Sequence, residues 1–201
     1  MYQDILTIAV VTVFAFFAIY WMWFQGEVDG SRLIAKNSMK QQKFNIILVL
    51  VAAFIVKAIL AVKNEGYSVD ITCFRSWSET VFTGGLSHFY EGDVTDYPPG
   101  YMLVLWLVAA IRHLFNIDNY STTGLFMIKL FPMLFDLAAA YLIYVMAKKR
   151  FSEGMSLMLS TLYALNPAVV IDSSVWGQVD GVLCCMVLLT CYLFMEEKRI
   201  L

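Results

Sequence analysis

The sequence predicts an all-α protein: a polytopic transmembrane helix bundle with one large extracytoplasmic loop that carries short interfacial helices. Three observations lead there. Apolar residues make up 60% of the chain and charged residues 15%, against about 45–50% and about 25% in ordinary soluble domains. Apolar runs recur at about 5–24, 44–62, 101–115, 125–147, 155–171 and 181–195. Basic residues gather in the connectors between them, and mean hydropathy is +0.70.

The run from Ile5 to Phe24 exceeds the ~7–15 residues of a signal-peptide apolar core and lacks a basic start and a small-residue cleavage site. It reads as a retained membrane helix, leading a 1–43 segment ahead of a 44–201 module. Runs 44–62 and 125–147 also reach the ~17–25 residues that a span needs; the rest are short. Connector 25–43 holds Arg32, Lys36, Lys40 and Lys43, connector 148–153 holds Lys148, Lys149 and Arg150, and the tail holds Lys198 and Arg199. The positive-inside rule places all three in the cytoplasm and the acidic loop 63–100 outside. Parity then requires that one short run, 101–115 or 155–171, does not cross, or that the 148–150 cluster breaks the rule.

Loop 63–100 carries six of the sixteen acidic residues (Glu65, Asp70, Glu79, Glu91, Asp93, Asp96) against Lys63 and Arg75. Loops longer than ~12–15 residues are usually functional or disordered, and this one has the marks of a folded segment. Ile71, Phe74, Trp77, Val81 and Phe82 fall at helical spacing, which predicts an interfacial amphipathic helix over 70–82 with Asp70 as its N-cap. Capping and a functional role remain open for Asp70 from spacing alone. Asp96-Tyr97-Pro98-Pro99-Gly100 leads into the next run, where two prolines fix the backbone that presents Asp96.

Polar groups at membrane depth are costly. Lys129 and Asp136, seven apart, share one helix face with Pro132 between them. They read either as structural charges turned into the bundle or as a phosphate-neutralising lysine oriented by a carboxylate. Arg112 and His113 sit at a helix end, where snorkelling accounts for them. Asn166-Pro167 breaks a run, and Asp172, Ser173, Ser174, Trp176, Gln178 and Asp180 follow, too polar to face lipid. An indole beside amide and carboxylate groups suits a sugar; an interfacial turn with a tryptophan anchor is the plainer alternative. Cys73, Cys184, Cys185 and Cys191 lack metal-ligand spacing or a disulfide framework. A net charge of −2 without a basic run offers nothing to nucleic acid.

In order along the chain, Val69-Asp70-Ile71…Phe74…Trp77, Asp96-Tyr97-Pro98-Pro99, Lys129-Leu-Phe-Pro132…Asp136 and Asn166-Pro167…Asp172…Trp176-Gly-Gln178-Val-Asp180 resemble the GT-C superfamily of membrane glycosyltransferases. The Tyr-Pro-Pro element is similar to that of the dolichyl-phosphate-glucose glucosyltransferases of asparagine-linked glycosylation. Protein O-mannosyltransferases and lipid A aminoarabinose transferases show a looser version. The resemblance covers about residues 44–195. Members usually run to several hundred residues, so the chain resembles their amino-terminal half, and the 5–24 helix is additional.

The resemblance implies inverting transfer of a hexose, glucose or mannose, from a polyprenyl-phosphate sugar to a glycan, lipid or protein acceptor at the outer face of the plasma membrane. Asp70 would be the general base, with Asp96 and Asp180 as further catalytic carboxylates facing each other across the cavity mouth. In some relatives the matching carboxylates hold a divalent metal ion, which makes Asp96 and Asp180 the candidate ligands. Lys129 and Arg75 would offset the leaving phosphate, and Tyr97, Asp136, Asp172, Trp176 and Gln178 would complete the substrate-binding set. Helices beyond residue 201 would grip the donor's lipid. Two other classes compete: a transporter or ion-conducting protein with Lys129, Asp136 and Asp180 along its pathway, and a non-catalytic membrane scaffold. Internal repeats, frequent in transporters, are not evident.

Overall fold

The computed structural model describes residues 39–91 and 97–196. The expected leading helix at 5–24, most of the connector after it, Asp96, Lys198 and Arg199 lie outside the described residues. Within them the chain is all-helical and forms a membrane-type bundle.

Helix α1 spans Met39–Lys63, an apolar stretch without proline or glycine. Asn64 closes it by donating its side-chain amide to the Leu60 carbonyl at 2.8 Å. Gly66 then turns the chain at φ +87°, a left-handed conformation that glycine adopts without steric cost. Helix α2 spans Ser68–Phe89 and α3 spans Pro99–Leu114. Helix α4, Thr122–Ala147, starts where the Ser121 hydroxyl accepts from the Gly124 amide and contains Pro132. Helix α5 covers Glu153–Ala164, α6 covers Pro167–Val170, a π-helical turn covers Ile171–Trp176, and α7 covers Asp180–Met195.

Segments Asn45–Lys63 and Thr122–Ala147 are long and apolar enough to cross a membrane. A third span exists if α5 and the segment Pro167–Trp176, bent by 47° at their junction, are counted together. Pro167 causes that break: its ring removes a backbone donor and biases Asn166 away from helical backbone. Ile47, Leu48, Val51, Ile55 and Ile59 leave one side of α1 bare, a surface suited to lipid rather than water. Ala53, Ala140 and Ala164 meet where α1, α4 and α5 converge, and small residues allow such close approach. There the Ser160 hydroxyl donates to the Ala140 carbonyl at 2.8 Å.

Two expectations are corrected in α2. The helix extends past residue 82 to Phe89, with Gly85 interrupting it at φ 76° and ψ 170°. Its N-cap is Tyr67, while Asp70 lies in the first turn and directs its carboxylate elsewhere. The apolar side is as the spacing indicates, with Ile71, Phe74 and Val81 buried against Tyr101, Met102, Leu105 and Val108 of α3.

Helices α2 and α3 pack side by side, Phe74 beside Tyr101 and Phe82 stacked on His113, next to the end of α1 and the start of α4. The Asn119 side chain, just ahead of α4, donates to the Arg75 carbonyl at 3.3 Å. Tyr97, just ahead of α3, reaches Gln178. Run 101–115 forms α3, whose contacts with α2 follow the same order along both helices. At 16 residues, about 24 Å long, its helix is short for a span.

Arg112 does not snorkel. It is 3% exposed and pairs with Glu79, which His113 also contacts at 2.9 Å. Partial burial pushes the Glu79 carboxyl upward, but hydrogen bonds from His113 and Arg112 outweigh it and hold Glu79 below the usual carboxylate range. A carboxyl depressed by folding contributes stability above its unfolded pKa and loses it as pH falls through the folded value. Acidification below about pH 4 is therefore expected to loosen the α2–α3 contact. Trp106, which packs on Phe82, reports the change by fluorescence when kept as the sole tryptophan. Glu79→Gln should weaken the joint at neutral pH and flatten the acid response; an unaltered titration would sink the assignment.

Candidate functional site

Two corners of the chain meet at that end of the bundle. One is the α1–α2 corner, Asn64 to Asp70; the other joins the π-helical turn to α7, Ser174 to Asp180. The Tyr67 amide donates to the Trp176 carbonyl at 2.9 Å, and their rings lie 5.2 Å apart. A Cβ on Gly66 would fall 2.7 Å from the Trp176 carbonyl oxygen, and one on Gly177 2.7 Å from Ile71 Cδ1. Gly177 also sits at φ +91°. Gly177→Ala should therefore cost about 1–3 kcal/mol for the left-handed backbone alone, read as a lowered unfolding midpoint in detergent. A midpoint equal to the parent's would show that the corner tolerates a Cβ.

The Asp70 carboxylate sits in this junction. Its Oδ2 accepts from Trp176 Nε1 at 2.9 Å and from Gln178 Nε2 at 2.6 Å. Among the described residues no side chain donates to Oδ1. Two donors on one oxygen fix the carboxylate plane and leave the other oxygen able to accept a proton. Tyr97 closes one flank, its hydroxyl donating to Gln178 Oε1 at 3.3 Å. Its ring stands among Phe74, Trp77 and Tyr101, with centroids 5.7, 5.2 and 6.2 Å away. Trp176 remains 46% exposed, an apolar plane open beside a carboxylate and an amide.

Asp70, Tyr97, Trp176 and Gln178, from three separate stretches of chain, thus make one continuous hydrogen-bonded set. Asp180 is the exposed first residue of α7 and is not hydrogen-bonded to Asp70. Asp172 lies within electrostatic reach of Asp180, Asp136 and Lys57. The Arg75 guanidinium lies over the Tyr120 ring, 5.1 Å from its centroid, and its buried Nε lacks a hydrogen-bond partner among the described residues. Asp96 falls outside them. No three Asp, Glu, His or Cys side chains converge among the described residues, so Asp180 is seen there without a full cation cage.

Lys129 and Asp136 are both turned into the bundle, but each meets a different partner. Asp136 pairs with Lys57 of α1 at 2.8 Å. Lys57 also donates to the Val169 carbonyl and the Ser173 hydroxyl, both at 3.0 Å. The Lys129 ammonium, fully buried, instead donates to the carbonyls of Asn64, Ser174 and Val175 at 2.8, 3.0 and 3.3 Å. Its three protons are all engaged. A lysine and an aspartate on one face of one helix point the same way, but only the packing of α1 and the π-helical turn decides which group answers each charge. In the sequence Lys57 shows only as one lysine in the middle of run 44–62, with nothing beside it to name its partner.

An apolar groove of about 350 Å³ lies between α1 and α4, lined by Leu50, Val51, Phe54, Leu134, Leu137, Ala138 and Tyr141. None of the polar set reaches it. Its lining is apolar, like the bare side of α1.

No family model matches the chain, and no solved structure does. Over 125 residues the chain is 27% identical to GPI mannosyltransferase 1 of Saccharomyces cerevisiae, an alignment covering 59% of this chain and 28% of that protein. The chain therefore spans little more than a quarter of the curated relative's length. In that aligned part it is similar to a protein named for mannosyl transfer.

Proposed function

We propose that the chain carries the acceptor-activating part of a GT-C-type membrane glycosyltransferase, transferring mannose from a polyprenyl-phosphate sugar to a hydroxyl at the extracytoplasmic face. The observation that carries this reading is the Asp70 carboxylate, locked on one oxygen by Trp176 and Gln178 and open on the other. The similarity to a mannosyltransferase supports the sugar.

In this reading the acceptor hydroxyl donates to Asp70 Oδ1 while its oxygen approaches the anomeric carbon. As the new glycosidic bond forms, the bond to the phosphate breaks and the phosphate leaves with the electron pair. Asp70 takes the hydroxyl proton, and the anomeric configuration inverts. General-base assistance of this kind typically contributes ~10²–10⁴ in rate. The Trp176 plane would hold the apolar face of a sugar ring. Lys129, whose protons are spent on carbonyls, is not free to ligate the departing phosphate. Arg75, which has no carboxylate partner among the described residues, would supply hydrogen bonds.

The test is transfer of labelled mannose from polyprenyl-phosphate mannose by the purified protein in liposomes, with ion and solute flux measured in parallel. Transfer without flux is expected. Flux without transfer would replace this reading with a transport function.

A further inference from the structure

The π-helical turn is the least regular helical element of the molecule, and such turns are rare and concentrate at functional sites. The last carbonyls of any helix lack partners within it. Here those of Asp172, Ser174, Val175 and Trp176 are answered by groups from outside the turn. The Asp172 carbonyl accepts from the amides of Gly177 and Gln178, both at 2.9 Å, and the Trp176 carbonyl accepts from the Tyr67 amide at 2.9 Å. The Ser174 and Val175 carbonyls accept from Lys129. The third Lys129 proton goes to Asn64, in the corner that carries Asp70. One ammonium group thus ties together the two corners that hold Asp70 and its donors.

The other end of the turn is held in the same way. Lys57 donates to the Val169 carbonyl just before the turn and to Ser173 within it, with Asp136 as its counter-charge. Ser173 in turn donates to the Val169 carbonyl at 3.1 Å. A buried lysine is costly at membrane depth. Lys129 has no bonded carboxylate among the described residues, so its three carbonyls and the negative end of the turn are what hold its charge.

We infer that Lys129 and Lys57 are positioning residues: they clamp the π-helical turn so that the Trp176 indole and the Gln178 amide are aimed at Asp70. This rests on the proposed role of Asp70. It differs from a role for Lys129 as a direct ligand of the donor phosphate, because a positioning lysine acts on the rate constant through Asp70 and leaves donor affinity alone.

The readout is the emission of Trp176 in a variant where Trp21, Trp23, Trp77 and Trp106 are phenylalanine. In that background Asp70→Leu removes the indole's carboxylate partner and sets the reference shift. Lys129→Met is expected to reproduce that shift with Asp70 present, and adding Asp70→Leu to it should change nothing more. With polyprenyl-phosphate mannose as donor, kcat should fall about tenfold or more, since misplacement of about 1 Å can cost ~10², with donor KM unchanged. Lys129→Arg keeps the charge but cannot place three protons on three converging carbonyls, so it too should shift the emission. Ser173→Ala, nearly isosteric, removes one Lys57 contact and should give a smaller shift in the same direction. These two variants carry the test should Lys129→Met fail to fold. Parent-like emission in the folded lysine variants overturns the inference, as does a raised donor KM with unchanged emission. Failure of the Asp70 reading is separate: it shows as full activity of Asp70→Asn while the emission response persists.

Discussion

Asp70→Asn is expected to lower transfer by ~10²–10⁴ while leaving the unfolding midpoint near that of the parent protein. The substitution is isosteric, and the asparagine oxygen can still accept from Trp176 Nε1 and Gln178 Nε2, which now share Asp70 Oδ2. What it loses is the basic oxygen. The amide nitrogen takes the place of Oδ1, where it can donate but cannot receive the acceptor's proton. Initial rates with saturating polyprenyl-phosphate mannose, paired with thermal unfolding in the same detergent, separate chemistry from folding. Full activity in Asp70→Asn would remove the base from the mechanism. A matched loss of activity and stability would instead make Asp70 a corner-building residue.

The second large effect concerns the buried pair Lys57–Asp136. Each side chain is essentially unexposed, and the two are 2.8 Å apart. Removing one partner strands the other charge; for buried pairs this typically costs about 3–5 kcal/mol. Lys57→Met and Asp136→Leu should therefore each strongly depress the unfolding midpoint. The double variant should regain much of the loss, because two apolar side chains of similar volume replace two charges. Ser173 keeps its bond to the Val169 carbonyl in that variant, so few polar groups are orphaned. Strict additivity of the two losses would mean that the charges do not depend on one another.

Much of this architecture can be read in the sequence, and the reasons differ by residue. The spans at Asn45–Lys63 and Thr122–Ala147 follow from uninterrupted apolar composition, a local property. Asn166-Pro167 marks a break because proline acts on its own backbone and the residue before it. Asp70, Trp176 and Gln178 stand out as polar or amphipathic groups beside apolar runs. Glu79 and Lys57 were legible only as charges. Nothing near either residue in sequence names Arg112, 33 positions from Glu79, or Asp136, 79 positions from Lys57.

The sequence by itself determined the material: a helical membrane bundle, a proline-broken helix, and an acidic residue at the start of a helix after the second apolar run. Tertiary structure decided the pairings. It turned Asp70 from its own helix start to Trp176 and Gln178, gave Asp136 to Lys57, and left Lys129 to three carbonyls. The physical reason is range. Helix periodicity fixes which way a side chain faces, whereas hydrogen bonds and ion pairs are settled by whichever distant segment packing delivers within about 3 Å.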